Sequence, residues 1–295
     1  MTYADFVAFR RSLPRTPPLH RQTVRTRGIE FAVFSSPPVG NAPPLMCVNG
    51  GMLYDHSMLW PALSPLAAGR QIILYDQRGR GRSSAPAHPA DATIEDDAAD
   101  IGALRRALGI RSWDVLGHSW GGGIAMLATA ADAAAVRRLV LVDPVWTTSD
   151  WMAPLRQRVL ARLEGEQRDA VASISEESLG NPDPMLHSTY SRAVYPAWFA
   201  DAEMASRFAP PHATSETGAA VLARLRRHGY DWRDRTRSLS TPTIVIHGEQ
   251  DPLPLAISRD DSYIRSAQIE VVPSSGHMPF WEAPDRFFSL IDSFL

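Results

Sequence analysis

The chain has 295 residues, 44% of them apolar and 21% charged, with a formal net charge of −2. That balance is ordinary for a globular protein, and it offers no basic surface to nucleic acid or an anionic membrane, so neither is expected as a partner. All thirty basic residues are arginine, which excludes Schiff-base chemistry, a Ser–Lys dyad and a phosphate-loop lysine, while a single cysteine, Cys47, excludes intrachain disulfides and cysteine-rich zinc sites.

In chain order, residues 1–22 predict an amphipathic turn of helix and an extended arm. Residues 23–27 and 29–35 alternate as a hairpin around Gly28. Short apolar runs follow at 45–48, 72–75, 113–116, 139–142, 243–247 and 269–272. Cys47 lies in the first of these and reads as a buried strand residue. Helical patterns separate the runs at 57–66, 94–108 and 123–131, and another closes the chain at 285–294. Apolar strands alternating with helices predict an α/β fold, a mostly parallel twisted sheet with helices on both faces. Between 147 and 238 the alternation stops, and the patterns at 152–163 and 216–227 predict helices joined by irregular chain. This segment reads as a helical cap inserted between the fifth and sixth parallel strands, on a core formed by residues 1–146 and 239–295. No run approaches the roughly 18 apolar residues of a membrane span. The N-terminus lacks the basic-then-apolar pattern of a signal peptide. A cytoplasmic monomer or homodimer is expected.

Gly117-His118-Ser119-Trp120-Gly121 stands where a strand run gives way to a helical pattern. A serine hydroxyl needs presentation, a base and a place for the oxyanion. A sharp turn between strand and helix presents it, and glycines on both sides allow the close backbone approach. The residue after the serine opens a helix, so its free N–H faces developing negative charge. Downstream, 243–247 runs into Asp251 and the last strand into His277. His277 would take and return the serine proton, and Asp251 would hold the imidazole. Asp143, His247 and Glu249 are rivals at neighbouring strand ends. The second oxyanion donor is expected from Asn49-Gly50-Gly51-Met52, so the backbone N–H groups of Gly51 and Trp120 are assigned. The arginine-rich segment 76–83 lacks a phosphate-loop pattern, and Asp76 and Arg78 read as braces of the loop supporting the elbow.

With these motifs the chain resembles the α/β-hydrolase superfamily over nearly its whole length, and the order Ser119…Asp251…His277 is that superfamily's order. Tyr75-Asp76-Gln77-Arg78-Gly79-Arg80-Gly81-Arg82-Ser83 and Ser119-Trp120-Gly121 are similar to proline iminopeptidases. Two departures stand out. The His-Gly-Gly-Pro motif of those enzymes is here Asn49-Gly50-Gly51-Met52. Their Gly-Gly-Ser-Trp-Gly elbow has His118 in second place, as in general ester and C–C bond hydrolases. The resemblance implies a Ser/Asp/His enzyme under a helical cap, with cap carboxylates holding a substrate ammonium. Glu176, Glu177, Glu203 and Glu216 are available for that.

A cofactor-independent serine hydrolase is therefore expected, cleaving an ester or amide of a small apolar acyl substrate, with no metal. Asn49, Met52, Trp146, Tyr195, Trp198 and Glu203 are the expected pocket residues, and the aromatics of the insertion favour an apolar acyl group. An iminopeptidase is the alternative within this chemistry. From another class, Asn49 and the pair Asp55-His56 leave open a lyase, cyclase or cofactor-free oxygenase using His277 as base. A serine at position 119 excludes a haloalkane dehalogenase, which needs a carboxylate there.

Overall fold

A computed structural model describes residues 3–12, 16–207, 213–255 and 267–295. The N-terminal turn is helix α1 (Tyr3–Ser12); residues 13–15 of the arm behind it, and residues 208–212 of the insertion, lie outside the described residues. Eight strands form one sheet: β1 (His20–Thr26), β2 (Ile29–Ser35), β3 (Leu45–Val48), β4 (Ile72–Tyr75), β5 (Trp113–His118), β6 (Val136–Val142), β7 (Thr243–Gly248) and β8 (Gln268–Val272). Their order across the sheet is β1-β2-β4-β3-β5-β6-β7-β8. β1 and β2 form the antiparallel hairpin, and β2 pairs antiparallel to β4. β3 to β8 are parallel.

Successive side chains leave a strand on opposite faces, and the core divides accordingly. On one face Met46, Val48, Ile73, Tyr75, Val115, Leu139 and Leu141 pack under α2 (Ile94–Ala107) and α3 (Trp120–Ala131). On the other, Leu45, Cys47, Ile72, Leu74, Leu116, Val140 and Val142 pack under Phe287, Leu290 and Ile291 of the last helix. Both faces being buried, the inner strands read as continuous apolar runs. The last run differs. β8 ends the sheet, and Ile269 and Val271 are exposed on it.

Two expectations need correction. The helix expected over 57–66 is replaced by two 3-10 turns, His56–Met58 and Ser64–Ala68, because Pro61 and Pro65 each remove a backbone donor and obstruct a continuous helix. The insertion lies between β6 and β7 as expected, the fifth and sixth strands of one direction, since β1 is antiparallel to β2 and so runs the same way as β3 to β8. Finally, the stretch read as irregular is helical. After α4 (Met152–Arg162) come α5 (Gly165–Ser173), α6 (Glu176–Leu179), α7 (Pro184–Val194) and α8 (Ala202–Arg207), followed by α9 (Glu216–His228) and α10 (Arg233–Thr236). Ser175 caps α6 by accepting from Ser178 N. Asp183 caps α7 by accepting from Met185 N and Leu186 N, with Pro184 in the first turn, where a missing N–H costs nothing. The prolines there start helices rather than break them.

Val159, Leu163, Val171, Leu179, Tyr190 and Val194 give the insertion its own apolar cluster. α9 is different: Ala219, Val221, Leu222 and Leu225 join the main core. Ser215 caps α9 through Gly218 N and donates to Gly79 O at 2.7 Å, tying the helix to the loop after β4. Two short helices, α11 (Pro279–Glu282) and α12 (Pro284–Phe294), close the chain. The carboxyl ends of β3, β4, β5, β6, β7 and β8 open on one edge, where ligands of such sheets bind.

Candidate active site

Ser119 sits between β5 and α3 with φ 57° and ψ −124°. A non-glycine residue there stores on the order of 1–3 kcal/mol of strain, sustained only by a well-determined surround. That surround is visible. Ser119 N donates to Val142 O at 2.9 Å, and Ser119 O accepts from Gly122 N at 2.9 Å and Val145 N at 3.1 Å. A Cβ on Gly117 would stand 2.3 Å from Gly121 O, and one on Gly121 would stand 2.1 Å from Val48 O. The elbow glycines are steric requirements of this packing.

His277 Nδ1 lies 2.7 Å from Asp251 Oδ2, and Asp251 Oδ1 accepts from Leu253 N at 2.9 Å. A carboxylate needs a donor opposite it, so His277 carries its proton on Nδ1 and keeps a lone pair on Nε2. Burial pushes the His277 imidazolium down from 6.5 to about 3, so the resting ring is neutral. Ser119 and His277 line the same cavity, with Asp251 behind the ring. Among the described residues, Ser119 Oγ and His277 are not hydrogen-bonded to each other, a contact that in such sites tightens on substrate binding.

Asp143 does not touch His277. Its Oδ1 accepts from Gly248 N at 2.8 Å and lies 3.2 Å from His247 Nδ1, while burial and the neighbouring Asp251 raise its carboxyl well above the usual range. Asp143 therefore holds a proton and offers it to Asp251, leaving Asp251 the carboxylate. Neither Asp143 nor His247 lines the cavity. Glu249 is exposed at the rim and accepts from Ser274 N at 3.4 Å.

Gly51 and Trp120 both line the cavity, and among the described residues neither donates its N–H to a partner. The Gly51 loop is held from behind. Gln77 Nε2 donates to Asn49 O at 2.9 Å, Arg80 Nε donates to Met52 O at 2.9 Å, and Asp76 accepts from His56 N at 3.0 Å and pairs with His56 Nδ1 at 2.7 Å. Arg78 grips Asp100, and Arg80 grips Asp97, each through two nitrogens. The arginine-rich segment thus braces the loop 49–56, which packs against the elbow at Gly50.

The cavity has a volume of about 130 Å³, where one water needs about 10–15 Å³. It is room for an acyl group. α4 contributes Met152, Leu155, Arg156 and Val159, and α7 contributes His187, Tyr190, Ser191 and Val194; both sets follow the spacing of one helix face. Of the six pocket residues expected, Tyr195 and Trp198 line the cavity, with the Trp198 ring 4.5 Å from that of His277. The other four do not. Asn49 is buried with Nδ2 donating to Gly50 O and Tyr54 O, so it shapes the loop. Met52 is buried under Arg80, and Trp146 packs against the main core with Nε1 donating to Pro254 O at 2.7 Å. Glu203 is exposed on α8. Of the four glutamates considered for an ammonium, Glu176 alone lines the cavity, and it is paired with Arg226 Nη1 at 2.7 Å.

Two residues escaped sequence reasoning. His118 Nε2 donates to His277 O at 2.9 Å, joining the elbow to the histidine loop. Glu282 is buried and accepts from Gly276 N at 2.8 Å and Ala200 N at 2.7 Å, while His277 N donates to Trp198 O at 2.7 Å. The histidine loop is thereby fastened to the insertion. An acid directly after the apolar run Met278-Pro279-Phe280-Trp281 was the available signal, since such a residue is buried only with partners.

The alpha/beta hydrolase fold family matches residues 43–284. The chain belongs to that family. It is an α/β-hydrolase. A proline iminopeptidase of Lactobacillus delbrueckii subsp. bulgaricus is 28% identical over 275 residues, 85% of this chain and 89% of that protein. Among solved structures, the proline iminopeptidase of Mycobacterium smegmatis aligns with a TM-score of 0.66 at 22% identity, covering 93% of this chain and 97% of its own. The enol-lactonase of Burkholderia xenovorans aligns at 0.65 and 23% identity, covering 93% and 99%. Among the described residues no helix is long and apolar enough to cross a membrane.

Proposed function

We propose that this α/β-hydrolase cleaves an ester or amide of a small acyl substrate without a cofactor, through an acyl-enzyme on Ser119. The observation that carries the reading is the buried His277–Asp251 contact at 2.7 Å beside a strained serine in one apolar cavity. Ser119 Oγ attacks the carbonyl carbon as its proton passes to His277 Nε2. The carbonyl electrons move to oxygen, and the N–H groups of Gly51 and Trp120 receive that charge. The C–O or C–N bond then breaks and His277 returns its proton to the leaving group. Water, deprotonated by the same histidine, releases the acid. Asp251 stabilises the imidazolium, and residues 147–238 act as the cap that roofs the cavity.

The relatives add support from their own chemistry, since an iminopeptidase opens an amide and a lactonase an ester. The iminopeptidase reading itself is weakened by Glu176, which is engaged by arginine, and by Glu203, which is outside the cavity. Ser119→Ala tests the proposal. The variant should fold normally and lose p-nitrophenyl butyrate turnover by at least about 10³-fold. Turnover within tenfold of wild type would instead support chemistry in which His277 alone acts on the substrate.

A further inference from the structure

The cap end of the cavity carries more positive than negative charge. Arg156 of α4 and Arg226 of α9 line it, and Glu176 of α6 is the acid among the lining residues. Glu176 meets Arg226 Nη1 at 2.7 Å but stands 3.6 Å from Arg156 Nη1, beyond hydrogen-bond reach. Its side chain is 52% exposed, against 18% and 19% for the two arginines, so water screens the carboxylate more than the guanidiniums. Arg156 Nη1 and Arg226 Nε are buried donors without an acceptor, and such groups are costly to leave unmade. The rest of Arg156 is anchored, because Nη2 donates to Val171 O at 2.8 Å and Ile174 O at 2.7 Å. Arg226 is steadied over the Tyr190 ring at 5.3 Å.

The geometry points to a substrate whose acyl group ends in a carboxylate, bound by Arg156 and Arg226 at the cap end while its ester or amide carbonyl meets Ser119. A carboxylate supplies two acceptor oxygens, one for each of the two unmet donors. The apolar lining between the two ends fits the methylene chain of such an acyl group. This inference rests on the serine-hydrolase reading and adds to it the charge of the substrate.

The test compares p-nitrophenyl esters of equal length, monoglutarate against its methyl ester, in the wild-type chain. The ratio of kcat/KM, acid over methyl ester, should be at least tenfold and should fall with added salt. Arg226→Gln and Arg156→Gln should each lower that ratio by tenfold or more. Glu176→Gln, which frees both guanidiniums, should raise it. A ratio near one, or one that none of the three variants moves, would overturn the inference. So would faster cleavage of prolyl-naphthylamide that Glu176→Gln abolishes, since the cavity would then select an ammonium. If neither ester turns over, the hydrolase reading has failed, and binding decides the anion site separately. Tryptophan fluorescence of Ser119→Ala should then report monomethyl glutarate binding that Arg226→Gln weakens at least tenfold; absence of that binding overturns the inference.

Discussion

Replacing Glu282 by glutamine removes a charge and one acceptor from the carboxylate that joins the histidine loop to the cap. Glutamine keeps one oxygen for Gly276 N or Ala200 N and turns its amide NH₂ toward the other. One charge-assisted bond is lost and a buried N–H left unmade, together about 3 kcal/mol. Burial works the other way. It raises the Glu282 acid from 4.5 to about 6, about 2 kcal/mol against the ionised form at 1.36 kcal/mol per pH unit, and the amide escapes that cost. At pH 8 the variant should therefore be less stable by only about 1 kcal/mol. A raised acid stabilises the fold at low pH and loses that contribution as pH rises through about 6. The gap between wild type and variant should accordingly widen by about 1 kcal/mol at pH 5. Urea unfolding followed by tryptophan fluorescence measures the gap, and kcat on p-nitrophenyl butyrate should drop at least tenfold as His277 loses its position. A gap independent of pH, with kcat unchanged, would refute the fastening.

Gly50→Ala would place a Cβ 2.6 Å from both His118 O and Ser119 Cβ; kcat should fall at least tenfold with the fold retained, and a twofold change would contradict the close approach of loop and elbow. Arg80→Leu leaves Asp97 buried beneath the Met52 loop without its partner, at a cost of about 3–5 kcal/mol in urea unfolding, most of which the double variant with Asp97→Leu should recover. His277 is held neutral well below its ordinary 6.5, so the acid limb of kcat/KM for a neutral ester should lie below pH 6.5. A limb at or above 6.5 would show that the ring is not desolvated.

The parallel core was legible because strands buried on both faces cannot hide their apolar runs, and each run at 45–48, 72–75 and 139–142 coincides with or lies within a strand. Ser119, Asp251 and His277 were legible because loops at the carboxyl ends of such strands carry little packing duty, so polar residues there stand out. The cap was not. α5 to α8 are short, and their starts depend on the capping side chains of Ser175 and Asp183, while Pro184 looks like a breaker in a string of letters. The pocket was legible only where an aromatic faced inward. Trp146 and Trp198 have equal claims by composition, yet Trp198 lines the cavity while Trp146 packs on the main core and bonds Pro254 O. Arg156, Glu176 and Arg226 come together only when α4, α6 and α9 pack, so no local pattern could announce them.

The central claim is that Ser119 is an activated nucleophile driven by His277. A fluorophosphonate probe tests it directly, because covalent capture requires that activation. Digestion and mass spectrometry of the wild-type chain should place the adduct on Ser119, with labelling slowed at least about 10³-fold in His277→Ala and absent from Ser119→Ala. Labelling at another residue, or equal labelling without His277, would contradict the account.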